Sequence, residues 1–172
     1  MRLFEYIEQG GPIMYLLVLL NIVGWALMLS KLYFLSLELK STDDTSANLR
    51  DDLKGLTNSN DASSIIELTK QIVSTHVTKA EKGLNTIKII ATISPLLGLL
   101  GTVLGVLTAF HVMSQTGLNN PSNFAQGISM ALITTVGGMI VAIPHYVGHN
   151  YLLGMLDKLE NVLEKKTLSK VL

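Results

Sequence analysis

Cysteine is absent from the 172-residue chain. Its absence excludes disulfide frameworks, thiolate metal centres and cysteine nucleophiles. Charge is scarce: 15% of residues are Asp, Glu, Lys or Arg, against about 25% in an average soluble domain. The 13 basic and 13 acidic residues cancel, so no net field recruits a polyanion and nucleic-acid binding is excluded. The scarcity is also uneven. No charged residue lies between Gln9 and Ser30, and none lies between Ile89 and Leu156, a run of 68 residues.

Those two runs decide the fold class. A charge-free stretch of about 18 or more apolar residues reads as a transmembrane helix. The first run gives one span, Pro12 to Phe34. The second is too long for one span and is cut by Ser114-Gln115-Thr116-Gly117-Leu118-Asn119-Asn120-Pro121-Ser122-Asn123, which is turn chemistry. Two more spans result, Ile89 to Met113 and Phe124 to Val147. A soluble protein with buried helices is the alternative, but hiding 68 uncharged residues leaves it little polar surface. The reading is an all-α membrane protein with three transmembrane helices, two of them extended into a cytoplasmic helical region.

Three spans place 1–11 and the 114–123 loop on one side, and 31–88 with the C-terminal tail on the other. Arg2 is the only basic residue on the first side; the other twelve lie on the second. The positive-inside rule then puts the long loop and tail in the cytoplasm. The division is 1–35 for the outward N-terminus and first span, 36–86 for a cytoplasmic helical loop, 87–147 for spans two and three, and 148–172 for a cytoplasmic C-terminal helix. A cleaved signal peptide is the rival for the N-terminus. The acidic Glu5, the lack of a small-x-small site after Leu29, and Lys31 as a stop-transfer flank argue against it.

The cytoplasmic part reads as helical. Ser41-Thr42-Asp43-Asp44 starts a short helix ending near Gly55, and Thr57-Asn58-Ser59-Asn60-Asp61 breaks the chain again. Ile65, Ile66, Leu68, Ile72 and Val73 then form an apolar helical face. No proline occurs between Asp61 and Ser94, so the second span is expected as one long helix starting well inside the cytoplasm. In the tail, Leu152, Met155, Leu156, Leu159 and Leu163 form a stripe that reads as an extension of the third span; an interfacial helix is the alternative.

The spans carry small residues in stripes. Gly98, Gly101 and Gly105 recur at three- and four-residue spacing, and Gly127, Ala131, Thr135, Gly138 and Ala142 form a second stripe. Such stripes let helices approach closely. Pro95 and Pro144 each free a backbone carbonyl within a span. Hydroxyls accompany the stripes at Ser94, Thr102, Thr108, Thr134 and Thr135. A lone intramembrane Thr bonds its own i−4 carbonyl; several on two packing faces can line a narrow polar path. No span contains a carboxylate. A proton carrier needs an ionisable group at membrane depth, so a partner must supply the acid if protons cross here.

Two long motifs carry a family resemblance. Glu81-Lys82-Gly83-Leu84-Asn85-Thr86, followed by Pro95-Leu96-Leu97-Gly98-Leu99-Leu100-Gly101-Thr102-Val103-Leu104-Gly105, resembles the second-span signature of the MotA/TolQ/ExbB proton-channel family. Gly127-Ile128-Ser129-Met130-Ala131-Leu132-Ile133-Thr134-Thr135, with Gly138 and Ala142-Ile143-Pro144, resembles its third-span signature. Gly11-Pro12-Ile13-Met14-Tyr15 also fits. Length and the three-span plan resemble the ExbB/TolQ branch, and the short loop leans to ExbB. The resemblance implies a homo-oligomeric, pentameric ring in the bacterial inner membrane, with a periplasmic N-terminus and cytoplasmic C-terminus. The ring surrounds single-span helices of an ExbD- or TolR-like partner, whose intramembrane Asp supplies the missing acid. Ion flow would then drive a TonB- or TolA-like protein. Thr102 and Thr135 fall on the family threonines that face that Asp, and Thr134 and Ser94 join them as candidate path residues. Members commonly carry Glu where this chain has Met130. The resemblance implies no enzyme and no cofactor.

Other constellations are thinner. His145 and His149 stand at i, i+4, the spacing of a helical metal pair, with no third ligand near in sequence. A proton relay is their other reading. His111 and His76 carry less. An intramembrane enzyme would need a nucleophile with a base, or paired acids, at depth; the spans hold neither. A passive scaffold would tolerate changes at Thr102 and Thr135. Sodium is the rival ion, because threonine oxygens suit a hard cation.

Overall fold

The computed structural model describes residues 3–56, 62–117 and 121–169. Its elements are helices α1 (Leu3–Gln9), α2 (Gly11–Lys40), α3 (Thr42–Leu56), α4 (Ala62–Glu81), α5 (Leu84–Thr116) and α6 (Pro121–Leu168). The described residues contain no strand. Helices α2, α5 and α6 are each long and apolar enough to cross a membrane, and the chain is a multi-pass membrane protein. At about 1.5 Å per residue, each exceeds the roughly 30 Å hydrocarbon core. The surplus length is the charged part: α2 runs on to Lys40, and α6 to Leu168.

Several boundaries have local causes. Gly11 (φ 62°) stands where α1 gives way to α2. Pro121 opens α6, where a missing N–H costs nothing. The expected turn at 114–123 is shorter than its composition suggests. Helix α5 continues through Ser114, Gln115 and Thr116 and yields only at Gly117, whose φ is 69°. Residues 118–120 of that turn, and the breaker at 57–61, lie outside the described residues. The single long helix expected from Asp61 through the second span is not formed. Helix α4 ends at Glu81, and α5 begins at Leu84. Gly83 between them has φ 93°, the left-handed conformation that closes helices and that glycine adopts without a Cβ clash.

The chain divides into two compact units, 1–26 with 86–148 and 27–85 with 149–172. In the first, Met14, Leu17, Ile90 and Val141 form a core flanked by Ile7, Ile13, Leu20, Leu97 and Ile133. The outside of this unit is as apolar as its core: Ile22, Leu96, Leu107, Leu132 and Ile140 are all exposed. That inversion suits lipid or further helices rather than water.

In the second unit, Leu35, Leu53, Val73, Val77, Leu152, Leu156, Leu159 and Leu163 are buried. The tail stripe is therefore an inward face, with Met155 at its half-exposed edge. The α4 face is rotated from the expected one: Thr69, Val73, Val77 and Ala80 are buried, whereas Ile66 is 36% exposed. Polar ties hold the unit. His76 Nε2 and the Thr45 hydroxyl meet Glu38 Oε1 at 3.0 and 3.2 Å, and Lys166 Nζ lies 2.9 Å from Asp43.

Candidate functional site

Glycines bring α5 and α6 together backbone to backbone within one chain. A Cβ on Gly98 would stand 2.9 Å from the Thr134 carbonyl oxygen and 3.1 Å from Thr135 Cα. A Cβ on Gly105 would stand 2.9 Å from the Gly127 carbonyl oxygen, and one on Gly127 2.7 Å from Ala109 Cβ. Gly101 faces the Thr134 side chain, and Gly138 faces the Ser94 carbonyl and Gly98. The two small-residue stripes are thus one seam. Gly98, Gly101, Gly105, Ala131 and Gly138 all belong to it, and Ala142, 8% exposed, continues the α6 stripe.

The seam carries three hydroxyls. Thr102 Oγ1 and Thr135 Oγ1 hydrogen-bond each other directly. The Thr102 hydroxyl also lies 3.2 Å from the carbonyl oxygens of Gly98 and Ala131. The Thr135 hydroxyl lies 3.2 Å from the Gly98 carbonyl. Thr134, fully buried, reaches the Ala131 carbonyl at 2.9 Å and the Gly98 carbonyl at 3.4 Å. Each hydroxyl has one proton to donate and more than one acceptor in reach. The cluster can exchange donors and acceptors without moving a helix. It has neutral oxygens only, so it orients water or a cation but cannot itself hold a transported proton as an acid. A shallow cavity of about 400 Å³, lined by Thr102, Val103, Val106, Leu107 and Phe110, opens beside it.

Ser94 does not join the cluster. It is fully buried, with its hydroxyl donating to the Ile90 carbonyl at 2.7 Å, the ordinary back-bond of a helical serine. Thr108 is likewise satisfied by the Leu104 carbonyl at 2.8 Å. Helices α5 and α6 run straight through their prolines in sequence. Pro95 and Pro144 therefore leave the Ala91 and Ile140 carbonyls without an i+4 donor.

The two histidines have separate surroundings. His145 is fully buried, its Nδ1 2.7 Å from the Val141 carbonyl and its ring edge-on to Trp25, with centroids 6.0 Å apart. His149 is 7% exposed and is engaged in an interaction of its own. Among the described residues no three His, Cys, Asp or Glu side chains gather to hold a metal.

The geometry adds groups that the sequence pattern did not single out. The Gly98 and Ala131 carbonyls are the cluster's shared acceptors, and they are reachable because those two residues are small. Met130 lines a cavity of about 520 Å³ with Gln9, Thr108, Gln126 and Ser129. Gly24 faces the imidazole of His145; a lone glycine in a leucine-rich span was the available signal.

The model of the MotA/TolQ/ExbB proton channel family matches residues 41–165. The biopolymer transport protein ExbB1 of Vibrio cholerae is 41% identical over 83 residues, covering 48% of this chain and 36% of that protein. The ExbB protein of Aquifex aeolicus is 40% identical over 72 residues, covering 42% of this chain and 49% of that protein. The ExbB protein of Helicobacter pylori is 38% identical over 78 residues, covering 45% and 54%. The matches span only about a third to a half of these relatives' length.

Proposed function

The chain belongs to the MotA/TolQ/ExbB proton channel family, and from that premise we propose that it is an ion-conducting motor subunit of the bacterial inner membrane. In this reading several copies, five by resemblance, surround single-span helices of an ExbD-like partner. The partner contributes an intramembrane Asp. Proton flow past that Asp energises a TonB-like protein acting on outer-membrane transport; a TolQ-like role in outer-membrane integrity is the close variant. The N-terminus faces the periplasm, and 36–86 and 148–172 face the cytoplasm, because twelve of the 13 basic residues lie in 31–88 and the C-terminal tail. The chain itself performs no covalent chemistry and needs no cofactor.

The observation that carries the reading is the hydroxyl pair of Thr102 and Thr135, backed by Thr134, in spans with no carboxylate. A hydroxyl passes hydrogen bonds along a water chain; a methyl group does not. Thr135→Val keeps the volume and removes both donor and acceptor. The expected outcome is loss of energy-coupled transport in cells while the complex still purifies intact, with Thr102→Val weakening it as well. Wild-type coupling in both single variants and in the double variant would reduce these threonines to packing.

One feature favours a second ion. Three hydroxyls and two carbonyls converge on one seam, and hard cations are held by several oxygens. The proton reading expects output independent of external sodium at fixed membrane potential and pH. Output that vanishes without sodium would replace it.

A further inference from the structure

His145, in α6, is fully buried, whereas His111, near the end of α5, is exposed. Its hydrogen bonding fixes its tautomer. A carbonyl oxygen only accepts, so the 2.7 Å contact to Val141 requires the proton on Nδ1. In the neutral ring Nε2 is then a bare acceptor. That atom is buried and has no hydrogen-bond partner. It abuts Gly24 of α2, the residue where a Cβ would collide with it. What Nε2 meets is a glycine Cα–H, a weak donor that tolerates a lone pair. Trp25 closes the site with its ring at 68° to the imidazole.

A proton on Nε2 reverses the sign of this contact. An N–H would point at a C–H, with a positive ring in an apolar seam and no acceptor opposite it. Along the sequence, charges stand at the ends of these helices, with Lys88 in the first turns of α5. Helix α2 has no charged residue before Lys31, α5 none after Lys88, and α6 none before Asp157. The titratable groups nearest in sequence are Tyr146 and His149 on α6 itself, and α2 brings Gly24 and Trp25 to the ring.

We propose that His145 is a proton-released latch between α2 and α6: the neutral imidazole seats against Gly24, and a proton on Nε2 drives the two helices apart. The latch is separate from the threonine cluster and needs no partner protein, so it stands or falls without the reading of the ion path.

The absence of cysteine makes the test clean. Spin labels are placed at Ile22→Cys and Ile143→Cys, both 62% exposed, in full-length chain in lipid nanodiscs, with labelled chains diluted by unlabelled ones. On acidification the label distance should lengthen reversibly by about 2 Å, the scale of a helix shift. His145→Phe, which keeps a flat ring without nitrogen, should hold the short distance at every pH. Gly24→Ala should give the long distance at every pH. His149→Gln should respond as wild type. Nitrogen NMR should find the Nδ1–H tautomer of His145 at neutral pH. A pH-independent distance in the wild type, an unchanged response in His145→Phe, or an Nε2–H tautomer would each overturn the latch. Loss of coupling in Thr135→Val tests the ion path alone and leaves this result untouched.

Discussion

A threonine hydroxyl has one proton to give and two lone pairs to receive with. At the α5–α6 seam three such groups share the carbonyls of Gly98 and Ala131. Removing one hydroxyl leaves its neighbours with other acceptors. Thr135→Val should therefore cost only about 1 kcal/mol of stability, read as a small drop in the thermal unfolding midpoint of the detergent-solubilised chain. A large drop would mean that the pair is structural. Gly101→Leu is the contrasting change: its side chain would enter the space of Thr134, and overpacking of about 3 kcal/mol or more should unfold the seam before any assembly question arises. Thr102 and Thr135 were legible in sequence because hydroxyls on two packing stripes are visible as letters. The Gly98 and Ala131 carbonyls were not, since every residue has one and only the fold shows which are reachable. The sequence neighbourhood of Ser94 suggests the path, but its back-bond to Ile90 keeps it occupied.

Among the elements, the break between α4 and α5 is held from both sides. Lys31 Nζ donates to the Ala80 carbonyl at 3.2 Å, in the last turn of α4, where cations are favoured. The same ammonium lies 5.4 Å from the Phe34 ring centre. Gly83 supplies the positive φ. Gly83→Ala should destabilise the chain by about 1–2 kcal/mol through the left-handed backbone, and Lys31→Met should weaken the same turn. Amide exchange in 80–86 is the measurement, and protection equal to wild type in both variants would contradict the account. The missing proline between Asp61 and Ser94 suggested continuity, but a glycine with positive φ ends a helix as effectively. The Lys82-Gly83 pair carries that signal in the sequence. The tail was legible for the opposite reason: a leucine stripe at helical spacing, free of Gly and Pro after Gly154, fits only one element.

At the scale of the whole molecule, the small-residue stripes are used up inside the chain. Any ring of copies must be built on the exposed Leu, Ile and Val side chains, whose partners no single sequence announces. A wild-type chain that stays monomeric by native mass spectrometry would refute the proposed ring. Orientation has its own check: a reporter fused after Leu172 should be active only in the cytoplasm, and activity outside would invert the topology. At Gly98, Gly105 and Gly138 the closest contacts of the seam are to backbone, with no glycine side chain to swing aside. A Cβ at Gly98, Gly105 or Gly138 would meet a backbone carbonyl oxygen of the facing helix at 2.5–2.9 Å. The two helices therefore behave as a shaft with its key already in the keyway: torque applied to one is delivered to the other without slip, and any moving joint lies elsewhere.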